Sequence, residues 1–339
     1  MKQKSIVYQR LIAVGLILIG IFLFCEEKSK GYVENTVYAE SGEKSEKYEK
    51  VKALEFKHSY MSIRAGEKVA LEFFMKPEKN IKYAFESTKP NLLSVTSKGI
   101  VKADKDAAGR KIKVILKAKD GSGIRDRIWL YVLPPINPNK KMVALTFDDG
   151  PKASITGRIC KVLKESEGVA TFFVVGEALT NKVNKNVMKQ AFRQGNEIAS
   201  HTLNHKQLTK LSAIEIQRQI QKNDVLIQKI TGTQVQLLRP PYGSISPFVA
   251  KQVEKPMILW SIDTRDWSHL NASKTYTEVM SKVHDGSIIL MHDYYTQTAD
   301  AVEKIVPALK KNGYQFVTVS ELYHYKGKKI KKGSTYRGF

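Results

Sequence analysis

The chain has 339 residues, which is more than one ordinary domain and enough for two, with a sizeable core in at least one. Apolar residues make up 42%, which excludes a disordered or collagen-like chain. The 56 Lys and Arg residues outnumber the 33 Asp and Glu residues and give a formal net charge of +23, typical of proteins that meet a polyanion. The charge is spread along the chain, with a dense cluster in residues 326–339, which favours general attraction to a polyanion over a DNA-binding arm.

The N-terminus is predicted to be a targeting segment. Basic residues precede an uncharged, mostly apolar run from Leu11 to Cys25, and glutamates follow it. The run alone is short for a hydrocarbon core of roughly 30 Å, but counted from Ser5, with Arg10 reaching back to the interface, it can span. The positive flank predicts that the bulk of the chain lies outside the cell. We therefore predict a membrane anchor over residues 1–25, with a cleaved signal peptide, which would make the protein secreted, or a lipid-modified Cys25 as alternatives.

The next two segments differ in pattern. Residues 26–54 are polar and charged without apolar periodicity, and are predicted to be a flexible stalk. Residues 55–134 contain short β-like runs separated by turn clusters, and their spacing predicts a small all-β sandwich. The stretch from Ser87 to Val95 resembles bacterial immunoglobulin-like repeats of surface proteins. The resemblance implies a spacer or wall-adhesion unit.

A Pro-rich linker, residues 135–140, leads into residues 141–325, where strand-like runs alternate with helix-like runs. The clearest helix carries isoleucines at helical spacings between positions 216 and 230. Such alternation predicts a parallel β/α architecture, closed or nearly closed into a barrel. A basic tail, residues 326–339, ends the chain. The predicted strands are Met142–Phe147, Val169–Val175, Glu197–Ser200, Gln236–Arg239, Met257–Ile262, Ser287–Met291 and Gln315–Val319.

Polar side chains gather where these strands end, which in β/α barrels is the rim that carries the active site. Asp148 and Asp149 follow the first strand; adjacent carboxylates before Gly-Pro can be a plain turn, but one could bind a metal while its neighbour acts as a base. His201 and His205 follow the third strand. If that segment is helical, the pair lies on one face and can chelate an ion, although such a pair is more often a surface or capping feature. An aspartate of the first strand end can supply a third ligand.

Three further strand ends carry motifs, each of which is weak evidence for a functional site when taken alone. They are Arg239–Gly243, Asp263–Trp267 and Leu290–Asp293. Two prolines stiffen the first loop, so that the Tyr242 backbone amide could be held toward a ligand. Each motif also has a structural alternative: a plain proline turn for the first, a surface loop with an ion pair for the second, and a hydrogen-bonded histidine at a strand end for the third. Five motifs in order on successive or near-successive strand ends favour a functional site.

With these motifs, residues 139–325 resemble the polysaccharide deacetylases of carbohydrate esterase family four, which have the NodB homology domain. The resemblance implies a distorted (β/α)7 barrel and one divalent metal, with zinc as the default ion and cobalt, nickel or iron as alternatives. The implied roles are general base for Asp148, oriented by Arg239; metal ligands for Asp149, His201 and His205; oxyanion donor for the Tyr242 amide; general acid for His292, tuned by Asp266; and a pocket for the acetyl methyl group lined by Trp267 and Leu290.

We therefore expect a metal-dependent hydrolase that removes N-acetyl groups from N-acetylglucosamine residues of a cell-surface polysaccharide, with peptidoglycan as the expected polymer. N-acetylmuramic acid, chitin oligomers and poly-N-acetylglucosamine are alternative targets. A wall-binding structural protein with an idle or secondary deacetylase module is the alternative class. The anchor predicts contact with a membrane, and the basic residues of 55–134 and 326–339 predict contact with anionic wall polymers. We expect an extracytoplasmic monomer that does not bind nucleic acid.

Overall fold

The computed structural model describes residues 48–339. The predicted anchor and most of the predicted stalk lie outside the described residues. Within 48–339, no helix has both the length and the apolar character needed to cross a membrane. The described chain has an all-β part and an α/β part, and each part has its own hydrophobic core.

The first part, the all-β unit, consists of nine strands around one apolar core. A four-stranded sheet has the order β2-β9-β8-β5, a three-stranded sheet has the order β3-β7-β6, and β1 pairs with β4. Every second residue of β8 and β9 is buried, so these strands present one apolar face inward and one polar face outward. The immunoglobulin-like character of this unit stays a prediction. The strands are β1 (Ala53–Phe56), β2 (Tyr60–Arg64), β3 (Lys68–Ala70), β4 (Phe73–Lys76), β5 (Tyr83–Ser87), β6 (Leu93–Val95), β7 (Ile100–Ala103), β8 (Lys111–Ala118) and β9 (Arg125–Leu133).

The second part, the α/β unit, is built on a curved parallel sheet with helices outside it. Its strands are β10 (Met142–Asp148), β11 (Thr171–Val174), β12 (Glu197–Ser200), β13 (Met257–Ile258), β14 (Ile262–Asp263), β15 (Ser287–His292), β16 (Gln315–Phe316) and β17 (Thr335–Tyr336). Its helices are α1 (Ala153–Glu165), α2 (Lys182–Arg193), α3 (Ala213–Thr231), α4 (Pro247–Gln252), α5 (Asp266–His269), α6 (Ala272–Lys282), α7 (Thr296–Lys311) and α8 (Val319–Tyr325).

The curved sheet is open at one seam. The strands lie in the order β12-β11-β10-β15-β14, with β16 beside β10. Leu238 continues the sheet beyond β12 through single bridges to Ser200 and Met257. Among the described strands, β13 forms a ladder only with β17 and reaches β12 only through the single bridges of Leu238, so the sheet curls without a continuous ladder that closes it.

Two predicted strands take a different form for identifiable reasons. The predicted fourth strand, Gln236–Arg239, is reduced to the bridging residue Leu238, because the two prolines that follow have no amide to extend a ladder. The predicted fifth strand, Met257–Ile262, is divided into β13 and β14. It changes partners midway, since the amide of Leu259 donates to Tyr336 whereas the amide of Ser261 donates to Ile288.

Helix α8 closes one end of the curved sheet. Its side chains Leu322 and Tyr323 pack in one buried cluster with Met142 and Ala144, which lie at the start of β10. Since the parallel strands share one direction, α8 covers their N-terminal ends. The C-terminal ends, where β10 reaches Asp148, are left as the opposite rim.

The segment predicted as a basic tail packs against the α/β unit. Strand β17 pairs in parallel with β13, and the amide of Phe339 donates to the carbonyl of Gly286 at 3.2 Å. The Phe339 ring lies 5.0 Å from the Tyr323 ring between centroids. The aromatic residues of this segment provide its packing, although its composition is dominated by lysine.

A buried ion pair joins the all-β unit to the α/β unit. Arg64 of β2 donates to both carboxylate oxygens of Glu321 at 2.8 Å, and to the carbonyl of Pro134 at 3.0 Å. The two side chains are only 3% and 9% exposed. Beside them, the hydroxyl of Tyr325 donates to Glu67 at 2.7 Å. Because Glu321 belongs to α8, the all-β unit is attached at the N-terminal end of the sheet.

Substitution of Arg64 by Met is expected to destabilise the chain by about 3–5 kcal/mol, because Glu321 then stays buried without its partner. Replacing both residues, as Arg64→Met with Glu321→Leu, is expected to recover most of this loss. Urea unfolding measures the free energy of each variant. Lys57→Met is the matched control: it breaks an exposed pair with Glu72 and is expected to cost less than about 1 kcal/mol. Equal losses for Arg64→Met and Lys57→Met would contradict a structural role for the buried pair.

Candidate active site

Asp148 ends β10, and its buried carboxylate is held by Arg239. The Nη1 atom of Arg239 donates to Asp148 Oδ1 at 2.7 Å and to Thr146 Oγ1 at 2.8 Å, and its other nitrogens donate to two backbone carbonyls. The guanidinium lies 4.1 Å from the centroid of the Phe173 ring. Burial raises the pKa of Asp148, and the charge of Arg239 opposes this rise. The result is an oriented carboxylate whose basicity is above that of an exposed aspartate.

Asp149, His201 and His205 form a cluster beside this carboxylate. One ligand atom from each lies within 4.8 Å of the others. The Nε2 atoms of His201 and His205 lie 3.5 Å and 3.2 Å from Asp149 Oδ1. This oxygen is buried and has no hydrogen-bond partner in the described part of the chain. A buried carboxylate oxygen that faces two imidazoles fits a divalent cation such as zinc, which takes nitrogen and oxygen ligands.

The two histidines lie in a loop, so the helical arrangement considered from the sequence does not form. Thr202 and His205 have positive φ values of 69° and 59°, and the two rings lie 4.9 Å apart between centroids. The Nδ1 atom of His201 lies 2.7 Å from the carbonyl oxygen of Arg239, which directs Nε2 toward Asp149. Burial lowers the pKa of His201 to about 3, so its ring is neutral at neutral pH, as a metal ligand requires.

Helix α3 supports this loop through two buried amide side chains. Gln219 Oε1 accepts from two successive loop amides at 3.1 Å and 3.2 Å, and its Nε2 donates to Asn204 Oδ1 at 2.7 Å. Asn223 Nδ2 donates to the carbonyl of Val174 at 2.9 Å and to Ser200 Oγ at 3.0 Å. Sequence reasoning missed both residues. The available signal was the presence of two amides on the buried face of α3, among its isoleucines.

His292 ends β15 and is held by Asp266. Its Nδ1 lies 2.7 Å from Asp266 Oδ1, and its amide donates to Asp266 Oδ2 at 2.8 Å. Thr298 Oγ1 donates to the same Oδ2 at 2.6 Å. Burial alone would lower the pKa of His292, but the hydrogen bond and charge of Asp266, with the charges of Asp148 and Asp149, raise it to about 9. Protonated at neutral pH, the ring can donate a proton from Nε2.

Asp148 and His292 are direct partners across the β10–β15 ladder, so all these groups meet on one rim. The Tyr242 ring lies 4.7 Å from the His205 ring between centroids, in a turn where Tyr242 has φ 61°. Trp267 follows Asp266 and is 49% exposed. Leu290 lies on β15 close to the rim and is buried.

Asp293 is a buried acid for which the sequence predicts no role. Thr156 Oγ1 donates to its Oδ2 at 2.5 Å, whereas its Oδ1 has no partner among the described residues. Burial raises the pKa of Asp293 to about 7. The carboxylate fills the space beside Gly150, where an added Cβ would lie 2.1 Å from Asp293 Oδ1. A side chain at position 150 must therefore displace either Asp293 or the segment that carries Asp149.

Gly150→Ala is expected to weaken zinc binding roughly 10- to 100-fold, the usual effect of disturbing the support of a metal ligand. Competition with a chromophoric chelator measures this affinity on the full-length chain. Gly157→Ala is the matched control, because a Cβ there would lie 3.7 Å from its nearest neighbour, Val187, in ordinary contact. If both alanine variants bind zinc like the unsubstituted chain, the close packing at Gly150 does not position the candidate metal ligands.

A buried carboxylate, a cluster of metal-ligand type and a histidine held by an aspartate, on the rim of a parallel β/α sheet, have the form of a hydrolase site. The family model for polysaccharide deacetylases matches residues 136–256. A solved structure of a deacetylase called T48, with substrate, is 38% identical, with 59% of this chain matching 99% of that chain at a TM-score of 0.56. The chain therefore belongs to the polysaccharide deacetylase family.

Two curated relatives carry more specific names. The peptidoglycan-N-acetylglucosamine deacetylase PgdA of Listeria monocytogenes is 39% identical, over 67% of this chain and 48% of the relative. The peptidoglycan-N-acetylmuramic acid deacetylase PdaC of Bacillus subtilis is 37% identical, over 64% of this chain and 47% of the relative. The chain thus spans about half the length of these two relatives.

Proposed function

We propose that the protein is a metal-dependent hydrolase that removes N-acetyl groups from N-acetylglucosamine residues of a cell-wall polysaccharide, with peptidoglycan as the polymer. One observation carries the proposal: the carboxylate of Asp148, the cluster around Asp149 and the ring of His292 converge on a single rim. The names of the two curated relatives support peptidoglycan as the polymer.

Asp149, His201 and His205 would hold the divalent ion, with zinc as the default and cobalt, nickel or iron as alternatives. When bound, the ion supplies positive charge that acidifies water and polarises the acetyl carbonyl. His201 is suited to this role because its neutral ring is already oriented by the Arg239 carbonyl. The unpartnered oxygen of Asp149 is the structural feature that supports a cation here.

The proton transfers are assigned to residues on either side of the cluster. Asp148 accepts the proton of the attacking water, whose oxygen bonds to the acetyl carbonyl carbon, and Arg239 keeps the carboxylate in place. The backbone amide of Tyr242 is assigned to the oxyanion that forms. When the carbon–nitrogen bond breaks, His292 Nε2 donates its proton to the departing nitrogen, because Nδ1 is held by Asp266. The products are acetate and a free amino sugar.

Trp267 and Leu290 are proposed to line the pocket for the acetyl methyl group. Leu290 is buried on β15 and supplies an apolar wall, while the half-exposed Trp267 flanks the aspartate that holds His292. Removal of an N-acetyl group from N-acetylmuramic acid is the closest alternative reaction, and it is supported by the name of the Bacillus subtilis relative. Chitin oligomers and poly-N-acetylglucosamine remain alternative substrates of the same chemistry.

A wall-binding protein with an idle deacetylase module is the second candidate function. The basic residues exposed on the all-β unit favour a binding role. The intact set of buried, hydrogen-bonded catalytic groups favours the enzyme. We propose an extracytoplasmic monomer that is anchored to the membrane through residues 1–25, or secreted if that segment is cleaved, and that contacts anionic wall polymers.

Acetate release tests the enzyme directly. We expect the zinc-loaded full-length chain to release acetate from peptidoglycan, and a chelator to abolish the release. His292→Ala is expected to lower the rate by roughly 10²–10⁴-fold, because the leaving nitrogen loses its proton donor. His284→Ala is the matched control, since that histidine is exposed and lies outside the rim.

Mass spectrometry of the reduced sugars after digestion identifies which amino sugar was deacetylated. Chitin oligomers tested in parallel separate the alternative substrates. No acetate from any N-acetylated glycan, with zinc bound, would refute the enzyme and leave the binding protein.

Asp266→Asn is expected to move the alkaline limb of the pH profile of kcat/KM toward lower pH. The reaction needs protonated His292, and the charge of Asp266 raises the pKa of that ring, so its loss lets the proton leave at lower pH. The acidic limb, which depends on ionised Asp148, is expected to stay in place. Asp263→Asn removes a nearby carboxylate that accepts from the Arg265 amide, and should leave both limbs unchanged. A shift of the acidic limb alone in Asp266→Asn would contradict these roles.

A further inference from the structure

The outer face of the four-stranded sheet in the all-β unit carries basic and aromatic side chains. We call it the basic sheet face and define it by Lys111, Lys113, Lys117, Arg125, Arg127 and Trp129. In the register of β8 and β9, Lys113 pairs with Trp129 and Lys117 pairs with Arg125. Among the outward residues of strands β2, β5, β8 and β9, Glu86 is the one acid, and it contacts Lys117. The face therefore carries a concentrated positive charge.

Two lysines of this face, Lys111 and Lys113, are held against aromatic rings. Lys111 Nζ lies 4.4 Å from the centroid of the Trp129 ring and 5.4 Å from that of Tyr60, and Lys113 Nζ lies 5.5 Å from Trp129. Within residues 48–339, neither lysine has an ion pair. The rings limit the motion of the two ammonium groups, so an anion that binds both meets less loss of side-chain entropy.

The face is continuous with the interface between the two units. Arg64, which is buried against Glu321, lies on the outward side of β2, next to the end of the face that the α/β unit covers. Arg193 of α2 lies 5.7 Å from the Tyr60 ring centroid and continues the positive charge onto the α/β unit. The all-β unit is attached where α8 closes the curved parallel sheet. The basic sheet face therefore lies toward the N-terminal end of that parallel sheet, whereas the catalytic rim lies at its C-terminal end.

The spacing of the charges suits a polymer with a regularly repeated anion. Alternate residues along a strand lie about 7 Å apart, and adjacent strands about 4.8 Å apart, so the face offers cations in two close rows. Lys and Arg side chains both bind phosphate oxygens strongly. The Trp129 ring already carries an ammonium group over it, so it is not an open platform for the base stacking that single-stranded nucleic acid uses.

We propose that the basic sheet face binds a phosphodiester-linked polyol polymer of the cell wall. The inference rests on the proposed function only for the place where the protein works, which is the wall. A polymer held on this face lies away from the rim, so it does not compete with the glycan strand at Asp148 and His292. The face would thus retain the enzyme at the wall between encounters with substrate.

The test measures binding of the full-length chain, in mild detergent, to synthetic poly(glycerol phosphate) over a range of salt concentrations. The variant Lys111→Gln/Lys113→Gln/Arg127→Gln is expected to lose roughly tenfold or more in affinity at low salt. Its slope of log affinity against log salt is expected to fall by about 2, since each cation in contact with a flexible polyanion contributes about 0.7. The matched control, Lys98→Gln/Lys102→Gln/Lys105→Gln, removes three exposed cations from elsewhere on the same unit. It is expected to keep most of the affinity.

Even where the chain binds the polymer, two results would overturn the proposal. Equal losses in the two triple variants would show that net charge, and not this face, attracts the polymer. The face would be assigned to nucleic acid if the chain bound single-stranded DNA of equal charge more tightly than poly(glycerol phosphate), and if the triple variant at Lys111, Lys113 and Arg127 lost that binding. Circular dichroism and melting temperature establish that each variant is folded.

The outcome is independent of catalysis. A chain that binds the polymer but releases no acetate refutes the proposed function and retains this inference. A chain that releases acetate but does not bind the polymer on this face refutes this inference and retains the proposed function.

Discussion

The site depends on one buried guanidinium. Arg239 is fully buried, and a charge in that position is tolerated only when its donors are satisfied. Four of its five N–H groups donate to the carboxylate of Asp148, the hydroxyl of Thr146 and two backbone carbonyls, while the guanidinium carbon lies 4.1 Å from the centroid of the Phe173 ring. The backbone carbonyl of the same residue faces His201 Nδ1. Arg239 therefore orients the proposed base with its side chain and a proposed metal ligand with its main chain.

The same residue binds main-chain carbonyls at the point where the ladder of the sheet is interrupted. The two carbonyls that accept from Arg239 belong to Ile258 and Leu259, at the point where the chain leaves β13 and changes partners before β14. A closed ladder would use these carbonyls for pairing with a neighbouring strand. The break in the ladder thus frees main-chain acceptors inside the sheet, and these acceptors help to stabilise the buried charge that the site needs.

Strand ends were predictable from the sequence because buried apolar runs stop abruptly at polar residues such as Asp148 and His292. The loop after β12 was not, since the spacing of His201 and His205 suits a helical turn as well as the loop that forms. The role of Gln219 could not be predicted, because a glutamine on a helix is expected to face solvent unless the loop that it binds is known. In residues 326–339 the lysines dominate the composition, so the sequence predicted an exposed basic tail and did not reveal that a few aromatic side chains pack against the α/β unit.

Asp148 and His292 shift each other's pKa because they are neighbours on adjacent strands. The charge of Asp148 favours a protonated His292, and the protonated ring in turn favours ionised Asp148, against the burial that opposes both charges. Their supports come from different elements: Arg239 holds the carboxylate, whereas Asp266 holds the imidazole. A loop and a short helix therefore set the protonation of the proposed catalytic pair, and the parallel ladder between β10 and β15 keeps the two groups at a fixed separation. This arrangement lets the proposed base and the proposed acid coexist in their active forms at neutral pH, as the proposed hydrolysis of an amide on a single rim requires.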